Sequence, residues 1–116
     1  MISNHFSEAE ISCQCGCGQC IVDVPLIGVL EFIRARFMRP VTVHSGNRCA
    51  KHNKEVGGAE QSYHLVGKAA DISVKDIDVD SLARAAEQAL ANGIIIYRSQ
   101  GFVHVDVRPT PYRAEA

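Results

Sequence analysis

The sequence predicts an α+β fold with a small, mainly antiparallel sheet and two or three helices. Two segments place apolar residues at helical spacing, and several shorter segments alternate apolar and polar residues or stay apolar throughout, as strands do. The last two of these short segments are separated by Arg98–Gly101, which is typical of a hairpin turn. A length of 116 residues suits one domain, so we expect a single domain that spans residues 1–116.

The chain begins with a segment rich in cysteine and glycine, residues 1–20, which we expect to be irregular. Asp23 is a suitable cap for the first helix, and Pro25 is tolerated in its first turn. Pro40 ends the helical pattern. The apolar face of this helix repeats every three or four residues, at Leu26, Leu30, Ile33 and Phe37.

The remaining elements are short. A brief helical turn is expected over residues 49–55, and a second full helix is expected to be capped by Asp80 and closed by Asn92 and Gly93. The predicted strands cover residues 41–45, 69–74, 94–97 and 102–107.

Composition argues against two classes of partner. The net charge is −1, and lysine and arginine are spread along the chain, so no basic stripe indicates nucleic acid. The longest apolar stretches, such as Ile94–Ile96, are too short for membrane insertion. The first ten residues carry acids and lack a positive start followed by an apolar run, so we expect no signal peptide.

The chain has five cysteines, at positions 13, 15, 17, 20 and 49. Three interpretations compete: a disulfide-linked N-terminal loop, a structural metal site, and free thiols. Zinc-binding cysteines usually come as two pairs, each spaced by two to four residues. Only Cys17 and Cys20 show that spacing, so disulfides or free thiols are preferred to a metal site.

Three polar residues point to chemistry. Asp71 and His104 lie within predicted strands, and His64 lies in the loop before the first of them. A single histidine on a strand is more often a surface or hydrogen-bonded residue than a ligand, but a buried, unpaired carboxylate costs several kcal/mol or must take up a proton. Histidine and aspartate are suited to zinc, and three protein ligands leave a fourth position for water.

Longer motifs surround these residues. They are Ser45-Gly-Asn-Arg48, His52-Asn53, Val56-Gly-Gly58, Ser62-x-His64-x-x-Gly67-x-Ala69-x-Asp71 and Phe102-Val-His-Val-Asp-Val-Arg108. Together they resemble the peptidase M15 family, in particular its short zinc D-Ala-D-Ala carboxypeptidase and phage endolysin-like branch. The matching stretch runs from about Phe6 to Arg108. That family shares its core with the hedgehog signalling domain, so the resemblance implies a hedgehog/DD-peptidase-like fold.

The resemblance also implies roles for single residues. His64, Asp71 and His104 occupy the positions of the family's zinc ligands, so Zn²⁺ is the expected cofactor. Arg48 sits where an arginine binds substrate and stabilises the developing oxyanion, a task that suits the permanently charged guanidinium. Ser62 falls at a position expected to contact the substrate or a metal ligand.

One position departs from the family pattern. Several members of the wider family carry a catalytic base, Glu or Asp, three residues before the last zinc histidine, and Gly101 stands there in this chain. Asp106 shares a strand face with His104, so it is a candidate either for the base, which we prefer, or for support of the histidine. Tyr97 and His44 are weaker candidates for the base.

The function implied by the resemblance is that of a zinc-dependent metallopeptidase. It would hydrolyse peptidoglycan peptides through a metal-activated water, either as a D-Ala-D-Ala carboxypeptidase or as a cell-wall endopeptidase. We expect a monomer that is made in the cytoplasm and acts at the bacterial cell wall or periplasm after export or lysis. Two alternatives stay open: a catalytically inactive zinc-binding domain that binds cell wall or a partner protein, and a phage structural component.

Overall fold

One five-stranded sheet organises the computed structural model, which describes residues 2–116. In chain order the strands are β1 Val41–Ser45, β2 Ala69–Val74, β3 Gly93–Tyr97, β4 Phe102–Asp106 and β5 Tyr112–Glu115. Their order across the sheet is β1-β2-β4-β3-β5, and every neighbouring pair is antiparallel except β3 and β5. The predicted α+β class and mainly antiparallel sheet are confirmed.

The helices are more numerous than the two or three expected. The described residues form four α-helices, α1 Glu8–Ile11, α2 Val24–Phe37, α3 Ala50–Glu55 and α4 Val79–Gln88. A 3₁₀ helix at Tyr63–Val66 precedes β2. Within residues 2–116, none of the helices has the length and apolar character needed to cross a membrane.

The core lies between the helices and one face of the central strands. Fully buried side chains from both layers form it: Leu30, Ile33, Ile72, Val103 and Val105. Because side chains alternate along a strand, Asp71 of β2 and His104 of β4 lie on the opposite face. The sheet therefore separates an apolar core from a polar face that carries the candidate site.

The N-terminal segment contains a helix where an irregular chain was expected. Ser7 and Glu10 cap α1 reciprocally: the Glu10 amide donates to Ser7 Oγ at 3.4 Å, and the Ser7 amide donates to Glu10 Oε1 at 3.0 Å. Ile11 at the end of this turn is buried in the core. The expectation was wrong here because a single helical turn is too short to show an apolar repeat.

The predicted limits of α4 were also wrong. Asp78 is the N-cap, because its carboxylate accepts hydrogen bonds from the Ser81 amide at 3.0 Å and the Ser81 hydroxyl at 2.7 Å. Asp80 instead accepts two hydrogen bonds from the guanidinium of Arg98, at 2.9 and 3.0 Å. Gly93, expected to close the helix, is the first residue of β3.

Strand β5 was not predicted. It pairs in parallel with β3 and forms one edge of the sheet. Most of its side chains are exposed, so its sequence lacks the apolar alternation by which the other strands are recognised.

Candidate metal centre and its cleft

The three residues predicted as metal ligands lie together in the structure. Asp71 Oδ1 is 3.3 Å from His64 Nε2 and 3.1 Å from His104 Nδ1. All three side chains are buried, and their donor atoms lie within 4.8 Å of one another. The arrangement is a compact set of one carboxylate oxygen and two ring nitrogens.

Neighbouring elements bring these side chains together. Asp71 and His104 are directly opposite in the antiparallel pair β2–β4. His64 comes from the 3₁₀ helix, whose cap Ser62 accepts a hydrogen bond from the His64 amide at 3.2 Å. Gly67 ends that helix with φ +72°, and a Cβ there would collide with the backbone carbonyl of Ile21. Glycine is therefore required for the turn between the first two of these residues.

Hydrogen bonds fix the two histidine rings in opposite tautomers. His64 Nδ1 lies 2.7 Å from the carbonyl oxygen of Gly46, and since a carbonyl can only accept, Nδ1 carries the proton and Nε2 is free. His104 Nε2 lies 2.7 Å from Asp106 Oδ2 and donates to it, which turns Nδ1 towards Asp71. Each ring thus points one nitrogen into the centre.

The centre concentrates negative charge on Asp71. Burial alone would raise the pKa of Asp71, but its contacts with the rings of His104 and His64 outweigh burial and hold that pKa well below its ordinary value. For His104, burial opposes the charged ring, yet the carboxylates of Asp106 and Asp71 raise its pKa above the ordinary value. In the metal-free protein the protonated ring of His104 therefore supplies the positive charge that a bound metal ion would supply.

The donor set fits a zinc ion. Zinc binds imidazole nitrogen and carboxylate oxygen at about 2.0–2.2 Å in tetrahedral geometry, which puts neighbouring ligand atoms roughly 3.3 Å apart. The observed 3.1 and 3.3 Å separations agree with that spacing. Three such ligands leave one position open, the arrangement found in catalytic rather than structural zinc sites.

Asp106 lies behind His104, away from the open side of the centre. Its side chain is fully buried, and besides His104 it accepts hydrogen bonds from Arg108 Nε at 2.8 Å, Arg108 Nη2 at 2.6 Å and the Arg108 amide at 3.1 Å. Burial would raise the pKa of Asp106, but Arg108 and His104 together lower it well below its ordinary value. This geometry favours the supporting role over the role of base.

Arg108 is a site residue to which the sequence analysis gave no role. Its guanidinium packs over two aromatic rings, 4.7 Å from the centroid of Tyr63 and 4.5 Å from that of Tyr112. The arginine neutralises Asp106, so the buried carboxylate stays ionised. The sequence signals for Arg108 were its place at the end of the motif Phe102–Arg108 and its position two residues after Asp106.

A cleft of about 450 Å³ opens over the centre. The predicted ligands line it together with Arg48, Ser62, Tyr63, Tyr97, Phe102 and Arg108. Arg48 reaches the centre: its Nη2 is 3.4 Å from Asp71 Oδ2, while Nε and Nη1 donate to Ser45 Oγ at 3.0 Å and Asn53 Oδ1 at 3.2 Å. The guanidinium is thus held in place at the wall of the cleft.

The cleft offers no carboxylate at the position where the family pattern places a base. Gly101 lies in the β3–β4 turn with φ +77°, and among the described residues that line the cleft Asp71 is the only acid. Tyr97 lines it and stacks on Phe102 at 4.6 Å; burial first, and then the charge of Asp71, raises the Tyr97 pKa, which keeps the phenol protonated. His44 is not part of the lining and contacts Ser73 Oγ at 2.7 Å.

Asn47, which the sequence analysis did not single out, connects three segments at the site. Its buried side chain donates to the backbone carbonyl of His64 at 2.9 Å. Its Oδ1 accepts from the Ile21 amide at 3.0 Å and from Gln19 Nε2 at 3.1 Å. Asn47 therefore fixes His64 relative to the N-terminal segment.

The cysteines do not form disulfides in the structure. Four of them, Cys13, Cys15, Cys17 and Cys49, meet with their sulfur atoms within 4.8 Å of one another. Cys20 lies apart, with its sulfur 4.0 Å from the Glu8 carbonyl. Free thiols are one of the two interpretations preferred from the sequence, and the structure adds that the distant Cys49 lies beside three cysteines of the N-terminal segment.

Comparison with known proteins gives a family. The family model described as Peptidase M15 matches residues 4–106. Similar curated proteins include the peptidoglycan L,D-endopeptidase MepK of Escherichia coli (strain K12), which is 34% identical over 76 residues that make up 61% of this chain and 42% of that protein. MepK of Shigella flexneri gives the same values.

A curated protein from a third organism gives a similar result. The probable peptidoglycan L,D-endopeptidase MepK of Haemophilus influenzae is 34% identical over 53 residues, which are 46% of this chain and 28% of that protein. The chain spans less than half the length of the curated relatives that it matches.

Proposed function

Because the chain belongs to the peptidase M15 family, we propose that it is a zinc-dependent peptidase that cleaves peptides of peptidoglycan. One observation carries the proposal: the donor atoms of His64, Asp71 and His104 converge on the wall of a cleft that also holds Arg48. The names of the MepK relatives supply the substrate class and favour endopeptidase over carboxypeptidase action. The place of action is then the bacterial cell wall.

The proposed metal ligands are His64 Nε2, Asp71 Oδ1 and His104 Nδ1. When bound, zinc supplies a Lewis acid that activates water and polarises the scissile carbonyl. The Gly46 carbonyl and the Asp106 carboxylate keep the rings in the tautomers that present these nitrogens, since each accepts a hydrogen bond from the other ring nitrogen. The chain's own contribution is thus a centre whose ligands are oriented before the substrate arrives.

Arg48 and Tyr97 are the proposed substrate contacts. The Arg48 guanidinium lies beside the centre and can donate to the carbonyl oxygen on which negative charge develops, which is worth most in a site shielded from water. The Tyr97 phenol, kept protonated by burial, is a second donor in the same cleft. Ser62 Oγ accepts a hydrogen bond from the His64 amide, so we propose that it contacts substrate through its hydroxyl hydrogen or its remaining lone pair.

A peptidase assay on the purified full chain tests this function. The zinc-loaded protein is incubated with soluble peptidoglycan fragments, and the products are identified by mass spectrometry. Cleavage inside a crosslink peptide is expected, whereas release of a terminal D-Ala alone would indicate a carboxypeptidase. His64→Ala should lose the zinc of this centre and the activity, while His5→Ala, at an exposed histidine that does not line the cleft, should retain both.

A second variant separates metal binding from catalysis. Arg48→Lys keeps a positive charge but loses the planar pair of donors, so kcat should fall by about 10²-fold while the zinc content stays unchanged. Bound zinc at the histidine centre with no cleavage of any peptidoglycan peptide would refute the enzyme and favour a binding domain. Absence of zinc from this centre would refute the metal dependence itself.

A further inference from the structure

A second cluster of metal-capable side chains lies outside the cleft. It consists of Cys13, Cys15 and Cys17 from the N-terminal segment and Cys49 from the segment that follows β1. Cys13 Sγ is 3.5 Å from Cys15 Sγ, and Cys15 Sγ is 3.6 Å from Cys49 Sγ. We call these residues the cysteine cluster.

The sulfur spacing matches a metal site better than a disulfide. The S–S bond of a disulfide is about 2.05 Å long. A zinc ion with four thiolates at about 2.3 Å in tetrahedral geometry separates neighbouring sulfur atoms by roughly 3.8 Å. The 3.5 and 3.6 Å separations are close to the second value, and all four sulfur atoms lie within 4.8 Å of one another.

The backbone around the cluster is shaped to hold the sulfur atoms in place. Gly16 and Gly18 adopt φ +86° and +84°, values that glycine accepts readily and that let the chain turn tightly between cysteines. The Cys13 amide donates to the Gln19 carbonyl at 2.8 Å and closes this loop. The loop presents three sulfur atoms to Cys49.

Backbone amides also face the sulfur atoms. The Cys49 amide donates to Cys13 Sγ at 3.3 Å, and the His52 amide donates to Cys49 Sγ at 3.4 Å. Such donors stabilise thiolates, the form in which cysteine binds metals, and they orient the ligand atoms. The cluster therefore has both a ligand set and supporting hydrogen bonds.

We propose that Cys13, Cys15, Cys17 and Cys49 bind one structural zinc ion. Four thiols release four protons to solvent and hold the ion as thiolates, which closes its coordination and leaves no position for water. Cys20 is not a ligand, because its sulfur faces the Glu8 carbonyl instead. The site is distinct from the histidine centre in ligand type, location and role.

The role of this zinc is to attach the N-terminal segment to the segment that carries Arg48. Cys49 directly follows Arg48, and Gln19 Nε2 donates to the Arg48 carbonyl at 3.2 Å. The Asn47 amide donates to the Ile11 carbonyl at 2.8 Å, which adds a second connection between the same two segments. A metal crosslink here fixes the loop whose Gly46 carbonyl orients His64.

Metal analysis of a variant without the histidine centre tests the proposal. The full chain carrying His64→Ala and His104→Ala is purified under reducing conditions without chelators, and its metals are measured by elemental analysis and X-ray absorption. About one zinc per chain should remain, with four sulfur neighbours at about 2.3 Å and no nitrogen or oxygen neighbours. This result does not depend on peptidase activity, so it stands or falls separately from the proposed function.

Cysteine variants in the same background give the matched comparison. Cys15→Ser with Cys17→Ser should abolish the remaining zinc; both side chains are exposed, so no core packing is lost. Cys20→Ser should keep it. In the zinc-bound protein a thiol reagent should react rapidly with one cysteine, and a strong chelator should expose the other four.

Several results would overturn the proposal. One is a chain without sulfur-bound zinc whose five thiols all react rapidly in the folded state. A mass that shows disulfides after non-reducing purification, or iron with inorganic sulfide in place of zinc, would equally overturn it. Loss of the zinc from Cys20→Ser to the same extent as from the double cysteine variant would show that the ligand set is wrong.

Discussion

At the scale of single residues, the candidate centre depends on partners that are not ligands. His64 and His104 use different ring nitrogens towards Asp71, and each is held by an acceptor on its far side. For His104 that acceptor is Asp106, which is itself held by three hydrogen bonds from Arg108. The chain of contacts from Arg108 to the centre explains why an acid at position 106 is fully buried.

Asp106→Asn should weaken metal binding more than catalysis. The amide cannot match the carboxylate as an acceptor for both His104 and Arg108, so zinc affinity should fall by about 10–100-fold. At saturating zinc most of the peptidase activity should remain. The measurements are zinc affinity by competition with a chromophoric chelator and kcat at saturating metal.

The control for this change is Asp80→Asn, which removes an exposed carboxylate paired with Arg98 and should leave both quantities unchanged. If Asp106→Asn binds zinc normally yet loses its activity, then Asp106 is the base and the supporting role assigned to it is wrong.

At the scale of elements, the sequence predicted most of the sheet and part of its cross-strand arrangement. The patterns in residues 69–74 and 102–107 correctly placed Asp71 and His104 within strands, because runs of apolar or alternating residues are typical of strands. The pattern could not give register: only the structure shows that the two residues are directly opposite. Nor could it identify β5, whose exposed residues carry no apolar signal.

Gly93 illustrates a residue whose role depends on that register. It was expected to close α4, yet it lies in β3 opposite Asp106, and a Cβ at this position would collide with the Asp106 carboxylate. A glycine in a strand normally weakens the strand, so its presence is explained by the close approach of this side chain.

Gly93→Ala, a change in strand β3, should therefore disturb the hydrogen bonds that orient His104 in the neighbouring strand β4. The added methyl group must displace the Asp106 carboxylate from His104 and Arg108, which should cost about 1–3 kcal/mol in the free energy of unfolding and should lower zinc affinity. Urea denaturation and zinc titration measure the two effects.

Gly28→Ala is the matched control. It lies within α2, and an added Cβ there meets no atom within 4 Å, so the same change should stabilise the helix by about 0.5–1 kcal/mol. Equal effects of the two alanines would contradict the collision with Asp106.

At the scale of the whole molecule, contacts between distant segments could not be predicted from the sequence. Cys49 lies 34 positions after Cys15, yet their sulfur atoms are 3.6 Å apart, and spacing rules that compare near neighbours cannot detect such a pair. The same holds for Arg108, which packs over Tyr63 and Tyr112. The family motifs located the candidate ligands, because short motifs carry residue identity, but the contacts that orient those ligands required the fold.

The histidine centre should also give the metal-free protein an unusual dependence on pH. His104 has a pKa raised above its ordinary 6.5 by Asp106 and Asp71, despite the opposing effect of burial. A raised pKa means that the folded state binds the proton more tightly than the unfolded state, so this stabilisation is fully present below pH 6.5 and is lost as the pH rises through the folded pKa. Asp71 and Asp106, whose pKa values are lowered, contribute stability above their ordinary value of 3.8 and lose it as the pH falls further.

Without metal, stability should accordingly be greatest between about pH 4 and pH 6.5 and should decline towards pH 8. Urea denaturation of chelator-treated, reduced protein across this range measures the decline. His104→Gln should remove it, whereas His44→Gln, at a histidine outside the centre, should retain it. Zinc should reverse the trend, because the ion replaces the proton on His104 and binds more tightly as the histidines become neutral. If stability still declines to the same extent in His104→Gln, then the protonated ring of His104 between Asp71 and Asp106 is not the source of the pH dependence.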